Sequence, residues 1–152
     1  MRARIGAAFL ALAFSASADQ ASMDVGAELV GTCKVNSVTP VDFGDLEQSA
    51  ASPDRVSLGS VVYWCSKGLR YTIKVDNGLH SNKGTRRMKG QAATNSGEFL
   101  SYDLRPRGTE RDRGLGPQYP ELFEMEAEVK GRDYDPLSVG PLRDTLVVTI
   151  SP

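Results

Sequence analysis

The sequence predicts an all-β fold, an antiparallel sandwich of short strands, and three observations carry that expectation. Six or seven segments alternate apolar and polar residues with a period of two, separated by clusters of Gly, Pro, Asn and Asp. Behind the N-terminal apolar run, no stretch of about ten residues repeats apolar positions at the 3.6-residue spacing of a helix. The chain's two cysteines, Cys33 and Cys65, both lie inside alternating segments, so one disulfide is expected to tie two strands together in an oxidising compartment.

The N-terminus predicts that compartment. Arg2 and Arg4 precede an apolar run from Ile5 to Phe14, and Ala16-Ser17-Ala18 has the small-x-small pattern that signal peptidase accepts. Cleavage after Ala18 is expected, because a run of roughly ten apolar residues falls well short of the ~20 that span a bilayer. Residues 1–18 are then a signal peptide, residues 19–32 an N-terminal segment and residues 33–152 a single folded domain. Cleavage removes two arginines and no acids, moving the net charge from −1 to −3. That balance offers no electrostatic reason to expect nucleic acid or an anionic membrane as partner.

The elements follow in order. Met23, Val25, Ala27 and Leu29 fall on one face of an extended segment that runs into Cys33-Lys34-Val35, the pattern of a first strand. Residues 55–65 form a longer β-rich run, and residues 70–76 alternate cleanly up to the turn signal Asn77-Gly78. After a polar loop come Arg86-Arg87-Met88-Lys89, then residues 99–104 with Leu100, Tyr102 and Leu104 on one face. Residues 122–130 set Phe123, Met125, Ala127 and Val129 against Glu124, Glu126 and Glu128. Helix formers are abundant there, but the strict period of two and the flanking Pro120 and Gly131 predict a strand. Residues 144–150 close the series.

Residues able to do chemistry are scarce. His80, the only histidine, sits in the loop Gly78-Leu79-His80-Ser81-Asn82 and reads as a solvated loop residue. With both cysteines in a bridge, a zinc site would have to be built from carboxylates, which zinc does not prefer, so no metal and no cofactor are expected. Gly114-Leu115-Gly116 begins like a dinucleotide fingerprint but lacks the third glycine and the strand–helix context, so a loop is expected. Residues 105–113 interleave Arg105, Arg107, Arg111 and Arg113 with Glu110 and Asp112, as a solvated connection does. Lys83, Arg86, Arg87 and Lys89 read as cations guarding an exposed sheet edge. Asp133 and Asp135, like the three glutamates, show none of the burial that a catalytic carboxylate pair needs. The chain is not expected to be an enzyme.

Several landmarks stand in order: Cys33-Lys34-Val35, Val41-Asp42-Phe43-Gly44, Cys65-Ser66-Lys67-Gly68, Tyr71-Thr72-Ile73-Lys74-Val75-Asp76-Asn77-Gly78, Arg86-Arg87-Met88, Leu100-Ser101-Tyr102-Asp103-Leu104 and Asp144-Thr145-Leu146-Val147-Val148-Thr149-Ile150. This succession resembles the spore coat protein U family, which includes the pilin subunits of archaic chaperone–usher fimbriae. The resemblance implies an immunoglobulin-like sandwich lacking its last strand, with an open apolar groove completed by donor-strand addition. It implies as partners a periplasmic chaperone, an outer-membrane usher and neighbouring like subunits, and a route through the periplasm to the cell surface. The donor strand would be the segment holding Met23, Val25, Ala27 and Leu29, spaced to fill every second pocket. The groove edge would hold Leu146, Val148 and Ile150, because a strand that also carries Val147 on its other face suits an interior strand or an edge awaiting a partner.

A second reading of the residues is a self-contained secreted binding module for surface glycans or a tip adhesin, using Trp64, Tyr119 or Tyr134 as exposed aromatics. If Cys65 points inward, Trp64 points outward, because neighbours on a strand face opposite ways.

Overall fold

The computed structural model describes residues 21–107 and 111–152; the expected signal peptide lies outside the described residues. Eight strands and one helical turn follow in order: β1 (Cys33–Thr39), β2 (Arg55–Cys65), β3 (Thr72–Val75), β4 (Arg86–Gly90), β5 (Phe99–Arg107), β6 (Glu121–Val129), α1 (Gly131–Tyr134), β7 (Leu142–Arg143) and β8 (Val148–Ser151). All strand pairs are antiparallel. They form a six-stranded sheet in the order β1-β2-β6-β5-β4-β7 and a two-stranded sheet of β3 and β8.

Period-two alternation builds the core. Along β2, Val61, Tyr63 and Cys65 are buried, and along β6, which pairs with it through nine residues, Phe123, Met125, Ala127 and Val129 are buried. The small sheet closes over this face with Ile73, Val75, Val148 and Ile150, making the two layers of a sandwich. A second cluster, Leu100, Tyr102, Val129 and Tyr134, gathers Phe43, Leu46, Met88, Leu137, Leu142 and Leu146. The glutamates of β6 take the outer face beside Arg105 and Arg107, and Arg105 reaches Glu128 at 3.5 Å.

Cys33 and Cys65 are direct cross-strand partners at one end of the β1–β2 ladder and form a disulfide. At that same end, Ser66 N donates to Thr32 O at 2.9 Å, and Gly116 N donates to Cys65 O at 3.0 Å. Gly114 packs against the Cys65 and Ser66 carbonyls so closely that no side chain fits, so the 114–116 glycines serve backbone packing in a loop.

Four expectations are corrected. Residues 21–32 form no strand; the first strand begins at Cys33, because no neighbouring edge among the described residues pairs with the segment before it. The last strand is split: residues 144–147 leave the ladder, and Asp76 N and Leu79 N tie them instead through the carbonyls of Val147 and Thr145. Arg105 and Arg107 belong to β5, opposite Glu126 and Glu124 of β6, so that part is strand rather than connection. The edge-guard reading is corrected for three of its four cations: Lys89 lies where β7 pairs with β4, and Arg86 and Arg87 are engaged by loop carbonyls. Arg86 donates to Asp76 O at 2.8 and 3.1 Å, and Arg87 donates to His80 O and stacks 4.2 Å from the centroid of Phe99. His80 is accordingly half-buried.

Replacing Cys33 and Cys65 by alanine together is expected to cost roughly 3–4 kcal/mol, the loop-entropy value for a bridge closing a 32-residue separation. Leu100→Ala is expected to cost about 2–5 kcal/mol because the residue is fully buried, while the outward Leu58→Ala stays below about 1 kcal/mol. Urea unfolding of the variants, with the midpoint and slope both recorded, checks all three values.

Candidate functional site

Val38 and Val61 are partners in the β1–β2 ladder and share a face, yet Val61 is 1% exposed and Val38 is 63% exposed. The inner side of β1 has no cover. Beside it runs an open groove of about 1320 Å³. Its floor is Val61, Met125, Tyr102 and Tyr134; one wall is the segment after β1, with Val41, Phe43 and Leu46, and the other is residues 137–148, with Leu142, Leu146 and Val148. The volume exceeds the roughly 300–1,000 Å³ of small-molecule pockets. The groove is open, and its floor is mainly apolar.

Both walls offer unpaired main chain. β1 ends the six-stranded sheet, and β8 has β3 as its one neighbour. In the C-terminal wall the carbonyls of Pro141, Thr145 and Val147 accept from Gln91 N, Leu79 N and Asp76 N. Main-chain groups alternate sides along an extended chain, so those of Leu142, Asp144, Leu146, Val148 and Ile150 point the other way, to the free edge. The same even-numbered residues carry the half-buried side chains, while Arg143, Thr145, Val147 and Thr149 are exposed. Leu146 and Val148 line the groove, whereas Ile150, further along the same stretch, packs into the core cluster of β2 and β6.

One polar group interrupts that row. Asp144 Oδ2 accepts from Tyr102 OH at 2.6 Å, and Oδ1 accepts from His80 N at 3.1 Å. Burial, then the bond to Asp144, pushes the Tyr102 hydroxyl well above the usual tyrosine range. Tyr71, buried against Tyr63 with the two hydroxyls 2.8 Å apart, is raised likewise, burial first.

The segment expected to donate lies elsewhere. Met23, Val25, Ala27 and Leu29 are all exposed, Leu29 completely, in an arm that leaves the domain beside the disulfide. Asp24, Glu28 and Val30 alternate with them and are exposed too. Among the described residues no group of three or more His, Cys, Asp or Glu could hold a metal ion. Of the three aromatics expected to be exposed, Tyr119 is exposed and Trp64 is partly exposed on the outer face. Tyr134 is a correction: it is buried, its hydroxyl donates to Pro53 O at 2.6 Å, and it forms part of the groove floor. Sequence reasoning missed the first wall, because Phe43 and Leu46 lie in a segment without strand periodicity.

Residues 19–106, more than half of the sequence, match the family model of the Spore Coat Protein U domain. The chain belongs to the Spore Coat Protein U domain family. This Spore Coat Protein U domain also resembles a chain in a crystal structure from Acinetobacter baumannii, that of the CsuC–CsuE chaperone–tip adhesion subunit pre-assembly complex of archaic chaperone–usher Csu pili. The match has a TM-score of 0.52 at 22% identity and covers 80% of this chain. It spans 40% of the solved chain, and at that identity the likeness is one of fold. No curated protein matches the sequence.

Both raised tyrosines hold their protons more tightly folded than unfolded. The stability they carry is therefore complete below about pH 10 and is lost as pH rises toward the folded values. Tyr71→Phe/Tyr102→Phe is expected to be less stable at neutral pH, having lost two hydrogen-bond donors, and to lose stability less steeply between about pH 9 and pH 12. Urea unfolding across that range reads both effects; equal slopes in variant and parent would assign the alkaline loss to other groups.

Proposed function

We propose that this protein is an exported structural subunit of a surface fimbria or coat, assembled by strand exchange. A periplasmic chaperone occupies the groove first, an outer-membrane usher follows, and the N-terminal arm of a neighbouring subunit then replaces the chaperone's strand. The single observation that carries this reading is the groove itself, an apolar floor between two strand edges with unpaired main chain. Family membership and the fold likeness to a pilus assembly complex support it. The fit of arm to groove is physical. An added strand pairs its main chain with a free edge and places alternate side chains in successive pockets, and the arm supplies Met23, Val25, Ala27 and Leu29 at alternate positions. No step calls for a metal, cofactor or catalytic group.

A peptide of residues 22–31 added in trans is expected to raise the thermal midpoint of the mature chain, increasingly with concentration, because a ligand of the native state alone stabilises it by mass action. A midpoint indifferent to the peptide at millimolar concentration, together with a fully monomeric chain that forms no SDS-resistant ladder, would sink the proposal.

A further inference from the structure

The groove walls fix how an arm can lie, and this inference rests on the donor-strand reading above. β1 runs away from Cys33 and residues 142–151 run back toward that end, so an entering strand is parallel to one wall and antiparallel to the other. The C-terminal wall offers the better edge. Its even-numbered residues present main-chain groups without interruption, whereas β1 is bulged between Val35 and Ser37 and is followed by Pro40, which has no N–H. Antiparallel pairing is also the stronger per residue. Side chains must share the inner face, so odd-numbered arm residues oppose even-numbered wall residues, and a one-residue slip would turn the whole apolar row outward. Slips of two residues remain, and size and charge choose among them.

We propose that the arm of a second copy enters antiparallel to residues 142–151 in the register Met23 opposite Val148, Val25 opposite Leu146, Ala27 opposite Asp144 and Leu29 opposite Leu142. Two features select it. Asp144 and Tyr102 form the one polar, closely bonded place in the row, and Ala27 is the smallest of the four apolar arm residues. The same register sets Glu28 directly opposite Arg143 on the outer face. Arg143 is exposed and makes no ion pair among the described residues, and Glu28 is exposed as well. Sliding by two residues in either direction puts Val25 or Leu29 on Asp144 and separates the charges. A parallel arm that paired Asp24 with Arg143 would likewise put Val25 on Asp144.

The antiparallel direction excludes the chain's own arm. Leu142 pairs with Gly90 at the end of the sheet opposite Cys33, a distance of more than about 20 Å along β1 alone. From Leu29 to Cys33 the chain reaches at most about 14 Å. The occupant is therefore another molecule, and each copy is both acceptor and donor.

The test uses arm peptides of residues 20–32 titrated into the mature chain, with apparent affinity read from the thermal midpoint shift. Glu28→Arg in the peptide is expected to weaken binding about two- to fivefold, the range of an exposed ion pair, and Arg143→Glu in the chain is expected to restore it. Ala27→Leu is expected to weaken binding about tenfold or more by crowding Asp144, while Val25→Leu stays within a few-fold. Failure of the Glu28/Arg143 swap with the parent peptide still stabilising overturns this register and leaves the donor reading standing. Rescue of an Asp24→Arg peptide by Arg143→Glu would overturn this register in favour of one that sets Asp24 opposite Arg143. A parent peptide without effect removes both.

Discussion

Among the described residues, the unpaired edges of β1 and of residues 142–150 flank a part of the core that has no lid. Main-chain N–H and C=O groups are strong hydrogen-bonding groups that a fold must satisfy with protein or with water. Here the row from Leu142 to Ile150 is satisfied on its β3 and β4 side, and its other side is left to solvent, next to an apolar floor of Val61, Met125 and Tyr102. Water can bond the edge but not the floor. A single added strand would meet both demands, which is why the groove is more specific than either an unpaired edge or an apolar cleft would be alone.

The rest of the architecture holds those two edges on either side of the groove. On one side, β1 is fixed to β2 by the ladder and by the Cys33–Cys65 bridge. On the other, the stretch from Asp144 to Val147 is out of the ladder and is held by side chains instead. Asp144 accepts from Tyr102 and His80, and Asp76 Oδ1 accepts from Val147 N and Gly78 N at 3.0 Å. Carboxylates acting as backbone partners suit this position, because each oxygen can satisfy N–H or O–H groups from two segments at once. The closed turn at 131–138 is built in the same manner, with Gln48 Nε2 donating to the Tyr134, Asp135 and Leu137 carbonyls.

What the sequence made legible was what depends on local period. The inner rows of β2, β5 and β6 follow from strict alternation, and the strand at 121–129 prevailed over its helix-forming glutamates because every second residue had a core to enter. What it hid depends on long-range partners. Residues 23–29 alternate as well as any strand here, yet alternation without a neighbouring edge gives no strand, and the arm stays exposed. Tyr134 looked available because a single helical turn has no readable period; it is buried in the cluster with Leu100, Tyr102 and Val129, and its hydroxyl bonds to Pro53 O, far away in sequence. Arg86 and Arg87 looked like solvated cations and instead hold the 76–80 loop through its carbonyls. The groove was legible only in part: its edge residues showed as a strand apolar on both faces, whereas Phe43 and Leu46 gave no periodic signal.

The placement of the disulfide gains meaning from the same geometry. Cys33 is the first residue of the first strand, so the arm ends and the fold begins at one covalent link. A pull on an arm seated in another molecule would meet the hydrogen bonds of Thr32 to Ser66 and then the covalent link at Cys33. Without the bridge it would load the Cys33 end of β1, an edge strand bulged between Val35 and Ser37 and held by a single neighbour. Through the bridge it passes to Cys65 and so into β2, whose nine-residue pairing with β6 is the longest ladder in the domain. Strand ladders resist best when many pairs share a load, and an edge strand pulled from its end opens one pair after another. A staple at the root of the arm therefore does more than restrict the unfolded chain. It fixes the Cys33 end of the edge strand, which the groove requires to be half-unpaired, to the central strand β2.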